Sequence, residues 1–434
     1  MLHKLLTKGH LICTDSRSAE PGAIFFALKG ESFNGNLFAH KALEKGCVAA
    51  VVDEPVELMG ENIIMVGNVL ETLQQLSHFH RKLFNLPVIG ITGSNGKTTT
   101  KELMHAVLAS TFNTLATKGN LNNHIGVPLT LLGLKPEHEI AIIEMGANKM
   151  GEIAMLSALA CPNFGLITNI GKAHLEGFGS LENIIKTKTE LYSHVKSEGD
   201  LLFVSADNAL LREKSKGNKV IFYGKDKESH CSASIISDMP FITIAFQVNK
   251  TFGKALKGTK GTIRTQLVGV YNFENIMAAL TISLYFGVSP QNAINAIENY
   301  LPSNSRSQLI KNDRNTILLD AYNANPTSMT AAIENFSVFG NCPRAVMLGD
   351  MLEMGNSSAE EHTRILSLLK EKQFELNILV GPEFKAVAKP GKNLLIFDTS
   401  SAAAEWLQKN PLKGFNVLIK GSRGILMEKV LESL

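Results

Sequence analysis

The chain has 434 residues, of which 44% are hydrophobic and 19% are charged; it is therefore long and apolar enough for roughly three globular domains and is not a disordered polymer or a disulfide-stapled miniprotein. Lys and Arg number 43 against 40 Asp and Glu, and this net charge of +3 gives no reason to expect nucleic acid or an anionic membrane surface as a partner. A small anionic ligand needs only local positive charge, so that class of partner stays open.

The cysteines and the N-terminal segment favour a cytoplasmic protein. The five cysteines are scattered, odd in number and without a Cys-x-x-Cys pair, which is typical of reduced thiols rather than of disulfides or a zinc site. Basic and polar residues interrupt residues 1–14, so that this segment lacks the apolar core of a signal peptide. No stretch approaches the roughly 18 apolar residues of a membrane span.

Residues 1–84 form a first block in which short apolar runs alternate with helix-like segments. Strands are predicted at 23–28, 48–52 and 63–66, and helices at 37–45 and 72–83. The block ends at residues 85–87 (Asn-Leu-Pro), because the residue before a proline is pushed out of the helical region.

Two further blocks, 85–302 and 303–434, continue the alternation that is typical of α/β folds. In the second block, strands are predicted at 88–91, 140–144, 166–169 and 201–204, with a hairpin tip at 249–261. In the third block, strands are predicted at 316–319, 345–348, 377–380, 394–397 and 416–419. Helix-like segments separate most of the latter, which predicts a doubly wound βαβ domain.

The strongest local signal is a phosphate-binding loop. A buried strand leads into the turn Gly93–Gly96, then into Lys97, Thr98 and a helix predicted over 101–110. Glycines let successive backbone N–H groups point at phosphate oxygens, and the helix N-terminus adds positive potential. Ile91 occupies the place of the early glycine of a strict Walker A motif. We still expect Lys97 to reach the β/γ-phosphates and Thr98 to ligate Mg²⁺.

Further candidates follow the strands of the second block. Glu144 ends the strand 140–144, where a P-loop enzyme needs an acid to hold Mg²⁺. His174 follows another strand, and from the residues alone a structural role is the commoner outcome for such a histidine. Lys186 and Lys188 lie two positions apart on one predicted helix, so at most one of them faces a site. A solvated helix face is the alternative for both lysines.

These motifs resemble the Mur ligases, ATP-dependent amide-forming enzymes of peptidoglycan synthesis. The loop 93–99 and the following Thr-Lys-Glu are similar to that family's short phosphate loop, which also lacks the early Walker glycine. Other similar segments keep the family's order through all three blocks: 14–17 (TDSR), 24–30 (IFFALKG), 120–132 (NLNNHIGVPLTLL), 144–153 (EMGANKMGEI), 168–180 (TNIGKAHLEGFGS), 322–326 (YNANP), 349–355 (GDMLEMG) and 420–424 (KGSRG). Within the family, they are most similar to the branch that adds D-alanyl-D-alanine to UDP-N-acetylmuramoyl-tripeptide (UDP-MurNAc-tripeptide).

The resemblance implies an α/β protein of three domains. Residues 1–84 would bind the UDP-sugar, 85–302 would form the central P-loop ATPase domain, and 303–434 would form a Rossmann-like domain that closes over ATP and binds D-alanyl-D-alanine. ATP and two Mg²⁺ ions are the implied cofactors, and an acyl phosphate is the implied intermediate. We expect a monomer. The third stem-peptide residue (diaminopimelate or lysine) and the base that deprotonates the acceptor amine stay open.

The resemblance also implies roles for residues of the first two domains. Ser16 and Arg17 match the uridine-diphosphate motif, and Asn275 matches an adenine contact. ATP would be contacted by Gly93, Ser94, Asn95, Gly96, Lys97, Thr98 and Thr99. The metal ligands would be Thr98, Glu144, His174 and Lys188, the last carbamylated, with Lys186 rejected.

In the third domain, Arg306 matches an arginine that reaches the γ-phosphate, and Asp320 matches an acid near the ribose. Residues for the closed site and the acceptor would be Asn323, Asn325, Lys420 and Arg423. The catalytic set is then Lys97, His174, Lys188 and Arg306.

Three positions depart from the family pattern, and other activities compete with ligation. Ser305 replaces a usual glycine, Gln308 replaces a common glutamate, and His124 stands where an acidic residue is expected. Addition of a different amino acid, or glutamate addition to folate, are the nearest rival activities. The rival from another class is a P-loop ATPase that acts as a conformational switch. Glu144, His174 and Lys188 argue against it, because a switch needs only one Mg²⁺.

Overall fold

Three β-sheets follow one another along the chain in the computed structural model, which describes Leu2 and residues 10–56, 60–340 and 342–434. The first sheet has four parallel strands in the order β1-β2-β3-β4. They are β1 Ile12–Cys13, β2 Ile24–Phe26, β3 Ala49–Val52 and β4 Ile63–Met65. The helices beside them are the 3₁₀ turns Ser16–Ser18 and Gly35–Phe38, α1 Ala39–Glu44 and α2 Val69–Lys82.

The second sheet has nine strands in the order β13-β12-β11-β10-β9-β8-β5-β7-β6. The strands are β5 Val88–Thr92, β6 Thr114–Ala116, β7 Ile140–Glu144, β8 Phe164–Ile167, β9 Leu201–Ser205, β10 Val220–Gly224, β11 Cys231–Ser237, β12 Thr243–Val248 and β13 Lys260–Arg264. The helices are α3 Lys97–Leu108, α4 Gly126–Leu131, α5 Glu152–Ala160, α6 Leu175–Phe178, α7 Leu181–Glu198, α8 Ala209–Lys214, α9 Asn272–Phe286 and α10 Pro290–Glu298. Antiparallel pairing is confined to β11, β12 and β13.

The third sheet has six strands in the order β14-β15-β19-β16-β17-β18, and only β14 runs antiparallel. The strands are β14 Gln308–Lys311, β15 Thr316–Asp320, β16 Arg344–Gly349, β17 Leu376–Val380, β18 Leu394–Phe397 and β19 Asn416–Lys420. The helices are α11 Pro326–Ser337, α12 Ser358–Lys372, α13 Pro382–Val387, α14 Ser400–Lys409 and the 3₁₀ turns Gly355–Ser357, Arg423–Ile425 and Met427–Ser433.

Each sheet is covered by apolar clusters on both of its faces. In the first sheet, for example, Phe25 packs with Ala39 of α1, whereas Phe26 packs with Leu73 of α2. Parallel strands that are buried in this way read as continuous apolar runs. Because β5 and β7 run parallel to each other, their carboxyl ends lie at the same edge of the middle sheet, and the residues that follow them lie there too.

The structure confirms the predicted α/β fold class with its three domains, and the predicted strands are present. The stretch 249–261 connects the antiparallel strands β12 and β13 up to residue 259, as a hairpin tip should. The helix predicted over 101–110 begins earlier, at Lys97, because Gly96 adopts a left-handed conformation (φ 79°) that ends the turn there. The boundaries at 84 and 302 stay predictions.

Three sequence-based expectations concern segments and side chains rather than the fold. The N-terminal stretch that lacks a signal-peptide core lies, apart from Leu2 and residues 10–14, outside the described residues. No helix in the described part of the chain is long and apolar enough to cross a membrane. All five cysteines are free thiols.

Candidate active site

A cleft of about 560 Å³ lies between the middle and third domains and is lined by residues of both. It brings together most of the residues selected from the sequence: Ser94, Asn95, Gly96, Lys97, Thr98, Thr99, Glu144, His174, Asn275, Arg306, Asp320, Asn323, Asn325, Lys420 and Arg423. Ser16, Arg17, Gly93 and Lys188 are not among the residues that line it. The cleft is thus a phosphate loop faced by polar and charged groups of another domain.

The phosphate loop is a tight turn between β5 and α3 that only glycine fits at two positions. Gly93 has φ 145° and Gly96 has φ 79°. A side chain at Gly93 would collide with the Thr168 hydroxyl, and one at Gly96 would lie 2.6 Å from Asn275 Oδ1. Lys97 Nζ donates to the Gly93 carbonyl at 2.8 Å, which holds the ammonium over the loop. Burial lowers the pKa of Lys97, and the nearby Glu144 opposes this effect.

Glu144, at the end of β7, is fully buried beside the loop (0% exposed). Its Oε1 accepts hydrogen bonds from Thr98 Oγ1 at 3.1 Å and from Asn122 Nδ2 at 2.8 Å. Its Oε2 has no hydrogen-bond partner among the described residues, although Lys101 Nζ is 3.8 Å away. A buried oxygen of this kind, next to a hydroxyl and a phosphate loop, fits a Mg²⁺ ion, because Mg²⁺ is usually held by one or two carboxylates together with substrate phosphates.

The described residues hold no group of three or more His, Cys, Asp or Glu side chains that would form an all-protein metal cage. Three residues around Glu144 were missed by sequence reasoning: Asn122, Lys101, and Thr117, whose Oγ1 accepts from the Glu144 N–H at 3.0 Å. Asn122 lies in the NLNN segment and Lys101 directly follows the phosphate loop, so both positions carried a signal. Thr117 carried none.

The two lysines of α7 point in different directions, as their spacing requires. Lys188 is 2% exposed, whereas Lys186 is exposed to solvent. Lys188 Nζ lies 5.7 Å from the centre of the Phe178 ring. Burial lowers the pKa of Lys188 well below its usual range, and the positive charge of Lys97 lowers it further. Lys188 thus lies close enough to the phosphate loop for the positive charge of Lys97 to lower its pKa.

Arg306 projects from the segment that connects the middle and third domains. Its guanidinium stacks on the Tyr322 ring, with 3.6 Å between Cζ and the ring centre, and its buried Nε has no hydrogen-bond partner among the described residues. Asn304, Ser305 and Ser307 around it have φ values of 58°, 55° and 47°. Ser305 therefore adopts a conformation that a glycine would take more easily, which explains why glycine is the usual residue at this position of the family pattern.

Asn275 connects the start of α9 to the phosphate loop from the other side. Its Oδ1 accepts from Thr100 Oγ1 at 2.9 Å, and its Nδ2 donates to Asn272 Oδ1 at 2.8 Å. The side chain is buried next to Gly96. Asn275 therefore packs against the loop while it lines the cleft.

The third domain contributes a buried ion pair and a direct link to the loop. Lys420 Nζ, at the end of β19, donates to Asp320 Oδ2 at 2.6 Å and to the Asn323 carbonyl at 3.1 Å. Asn325 caps α11 and donates through Nδ2 to Asn95 Oδ1 at 2.8 Å, across the cleft. Arg423 is more exposed and pairs with Glu428 at 2.8 Å. Asp320 also accepts from the Ser307 N–H at 3.1 Å, so it orients the segment next to Arg306.

Ser16 and Arg17 lie in the first domain and do not line the cleft. They form a 3₁₀ turn capped by Asp15, and the Arg17 side chain is 86% exposed, with its Nη2 2.8 Å from Asp15 Oδ2. Hydrogen bonds from Arg17 lower the pKa of Asp15 to about 2. A second cavity, of about 480 Å³, lies beside this turn and is lined by residues 10–15, Ser18 and 20–23.

Comparisons with known proteins agree with this geometry. Three family models match the chain: the Mur ligase family catalytic domain over residues 8–81, the Mur ligase middle domain over 91–283, and the Mur ligase glutamate ligase domain over 305–423. The UDP-N-acetylmuramoyl-tripeptide–D-alanyl-D-alanine ligase of Bacillus subtilis (strain 168) is 34% identical over 98% of this chain and 93% of its own length. The ligase of the same name from Escherichia coli (strain K12) is 33% identical over 98% and 93%.

Two solved structures show the same arrangement of domains. A crystal structure of MurF from Acinetobacter baumannii superposes with a TM-score of 0.86 at 33% identity and covers 98% of this chain and 92% of that one. MurF ligase from Thermotoga maritima in complex with ADP superposes with a TM-score of 0.85 at 27% identity, covering 99% and 97%. The motifs, the three sheets and the relatives agree, and the chain belongs to the Mur ligase family.

Proposed function

We propose that this chain joins D-alanyl-D-alanine to UDP-MurNAc-tripeptide in an ATP-dependent, ADP-forming ligation, which yields UDP-MurNAc-pentapeptide for peptidoglycan synthesis in the cytoplasm. The observation that carries the proposal is the cleft between two domains, in which the phosphate loop with Lys97 faces Arg306 and Lys420. Relatives whose names state this activity cover 98% of the chain.

The reaction proceeds in two steps: ADP is the leaving group of the first step, and phosphate is the leaving group of the second. A terminal carboxylate oxygen of the tripeptide attacks the γ-phosphorus of ATP, the bond to the bridging oxygen breaks, and ADP leaves with its electron pair. The neutral amine of D-alanyl-D-alanine then attacks the acyl carbon and gives up one proton to a base, and the tetrahedral intermediate collapses to the amide as its C–O bond to phosphate breaks and phosphate leaves. The carboxylate and the γ-phosphate are both anionic, so the first step needs positive charge, and Lys97 and Arg306 supply it.

Thr98 and Glu144 are the residues that would hold one Mg²⁺ at the cleft, His174 would hold a second, and Lys188 as a carbamate would lie beside the two ions. Bound Mg²⁺ withdraws negative charge from the phosphoryl oxygens. The buried, unpartnered Oε2 of Glu144 supports this assignment. The burial of Lys188 favours its neutral amine, which is the form that reacts with CO₂.

We infer that the contact between the middle and third domains shields the acyl phosphate from water. Asn325 bonds to Asn95 of the phosphate loop, and a side chain at Gly171 would lie 2.8 Å from Thr327 Oγ1 of the third domain. Contacts of this kind between two domains protect an intermediate that water would hydrolyse.

The test is ADP release from the purified chain with ATP, Mg²⁺ and UDP-MurNAc-tripeptide, comparing D-alanyl-D-alanine with single amino acids as the acceptor. We expect turnover that requires both the tripeptide and the dipeptide. Turnover with single amino acids instead would identify a different ligase of the family. ATP hydrolysis that is indifferent to both substrates would favour a nucleotide-dependent switch.

A further inference from the structure

One contact across the domain interface ends directly on a residue of the cleft. His174 of the middle domain bonds through Nδ1 to Glu353 Oε2 of the third domain. The backbone strengthens the same contact, because the Glu176 N–H donates to the Glu353 carbonyl at 3.1 Å. Nearby, Leu175 packs against apolar clusters of both domains. The histidine ring is therefore held by a side chain from the opposite domain.

Both partners of this bond have a backbone conformation that few side-chain-bearing residues adopt. The φ angle is 52° at His174 and 62° at Glu353. Left-handed residues other than glycine are retained where the surroundings hold them in place, and they concentrate at functional sites. Two such residues facing each other across one hydrogen bond indicate a contact that the fold holds in a defined geometry.

The loop that carries Glu353, residues 349–355, is anchored to its own domain on several sides. The Asp350 carboxylate is buried and accepts from the N–H groups of Glu383 and Phe384 at 2.8 and 2.9 Å. The Met351 N–H donates to His362 Nε2 at 3.0 Å, and the Leu352 N–H donates to Ser422 Oγ at 2.9 Å. The position of the Glu353 carboxylate therefore follows the position of the whole third domain.

A carboxylate at Nδ1 fixes two properties of an imidazole. It orients the ring, and it selects the form in which Nδ1 carries the proton, so that Nε2 keeps a free lone pair. His174 lines the cleft beside the phosphate loop, and Nε2 is its remaining nitrogen. Without an acceptor at Nδ1, the ring is free to turn and to carry its proton on Nε2, which would then be unable to act as an electron-pair donor.

We propose that Glu353 is a positioning residue, which orients His174 and exposes the Nε2 lone pair to the cleft only while the third domain is docked on the middle domain. The inference rests on the proposed function, since it assigns to His174 a role at the nucleotide. Docking then completes the site, and phosphoryl transfer is confined to the arrangement that shields the acyl phosphate from water.

The same interface offers a matched control. Lys172 Nζ bonds to Glu361 Oε1, a buried carboxylate on α12, and this pair also joins the middle domain to the third domain. The Lys172–Glu361 bond does not involve the His174 ring. Replacing Lys172 with glutamine removes this one ion pair, whereas the Glu176–Glu353 backbone bond and the packing of Leu175 still hold the two domains together, so the acceptor for His174 stays in place.

The experiment compares Glu353→Ala, Glu353→Gln and Lys172→Gln in the full chain. Nitrogen NMR of ¹⁵N-histidine-labelled protein, with ADP and without metal at mildly alkaline pH, reports which ring nitrogen of His174 carries the proton; His174→Gln assigns the signal. We expect a protonated Nδ1 in the wild type and in Lys172→Gln, and a protonated Nε2 in Glu353→Ala. Steady-state ADP release should show kcat lowered about ten-fold or more in Glu353→Ala, with an unchanged KM for UDP-MurNAc-tripeptide.

Glu353→Gln separates positioning from charge, because its amide oxygen accepts the same hydrogen bond. We expect it to restore the Nδ1-protonated ring and most of the lost kcat. The inference is overturned if Glu353→Ala leaves the ring signal unchanged, or if Lys172→Gln shifts it equally. Absence of ligation by the wild-type chain would count against the proposed function instead, because the ring measurement requires no turnover.

Discussion

Buried lysines distinguish the candidate site from the surface charge of the chain. Lys101, Lys188 and Lys420 are almost fully buried. Lys420 pairs with Asp320 at 2.6 Å and Lys101 lies 3.8 Å from Glu144, whereas Lys188 Nζ lies over an aromatic ring. A buried ammonium without a close anion is costly, which favours its neutral form. A neutral amine adds to CO₂ and loses one proton, and the product is a carboxylate-like carbamate.

Replacement of Lys188 with alanine tests this carbamate. We expect ADP release to fall by about a hundred-fold or more, the order observed when one preorganised charge-stabilising group is removed. Short carboxylic acids such as acetate should restore part of the activity, because they fill the space with the same functional group. Lys186→Ala, on the exposed side of the same helix, is the control and should keep wild-type activity. Wild-type activity of Lys188→Ala without added acid would contradict the assignment.

The backbone next to Arg306 makes a second prediction at single-residue scale. Ser305 has φ 55°, and a side chain in that region costs about 1–2 kcal/mol, whereas glycine adds about 0.4–1 kcal/mol of unfolded-state entropy. Ser305→Gly should therefore leave the stability unchanged or raise it slightly. Ser303→Gly, a neighbour without a positive φ, should lower it. Calorimetric unfolding midpoints measure both, and a drop for Ser305→Gly as large as that for Ser303→Gly would refute the strain argument.

The sequence predicted the cleft residues that stand next to a strand end or a loop motif. Lys97 follows a glycine turn and Glu144 ends a strand, so topology alone places them near each other. Thr117 and Glu353 act through partners that are distant in the chain; His174 and Glu353, for example, are 179 residues apart. No periodicity or spacing signals a partner at that range, so these residues became visible only in the folded chain.

At the scale of elements, burial on two faces determined which strands could be predicted. Strands β5 and β7 are buried at every residue and read as apolar runs. Strands β11, β12 and β13 are half-exposed, and β11 contains three serines, so these strands lack the apolar runs that predict a buried strand. Short strands such as β1 and β6 depend on pairing with neighbouring strands, and their two or three residues are too few to show a hydrophobic pattern of their own. The missed strands thus lie outside the buried centre of the middle sheet.

The phosphate loop yields a prediction about one glycine and a matched control. Gly96 and Gly151 both stand before a helix with left-handed φ values of 79° and 83°. A methyl group at Gly96 would lie 2.6 Å from Asn275 Oδ1, whereas one at Gly151 would meet nothing within 4 Å. Gly96→Ala should therefore displace the loop and abolish ADP binding, while Gly151→Ala should cost about 1 kcal/mol of stability and retain binding.

Isothermal titration with ADP and a thermal unfolding scan separate these effects. Both variants should unfold at a lower temperature than the wild type because both strain the backbone. Only Gly96→Ala should lose the heat of ADP binding. Equal ADP affinity in the two variants would show that the contact with Asn275 does not determine the shape of the loop.

At the scale of the molecule, the net charge of +3 does not show where the cationic side chains lie. Lys97, Arg306 and Lys420 line the cleft, and we propose Arg17, on the first domain, as a second contact for an anionic substrate. The proposed substrate carries a diphosphate at one end and a peptide carboxylate at the other, so it is long enough to need both contacts. Three domains thus serve a substrate whose anionic groups are far apart.

Arg17 makes the prediction that belongs to this scale. Its ion pair with Asp15 is exposed to solvent and therefore weak, so a diphosphate that accepts two hydrogen bonds should displace that pairing. Loss of a charge-assisted bond of about 1.5–3 kcal/mol should raise the KM for UDP-MurNAc-tripeptide about ten-fold or more in Arg17→Ala. The kcat and the KM for ATP should not change, because Arg17 does not line the cleft. Arg314→Ala, an exposed arginine of the third domain, removes the same charge and should alter none of these constants. A lowered kcat in Arg17→Ala would show that the first domain does more than anchor the nucleotide. An equal rise of KM in both variants would show that net charge alone attracts the substrate.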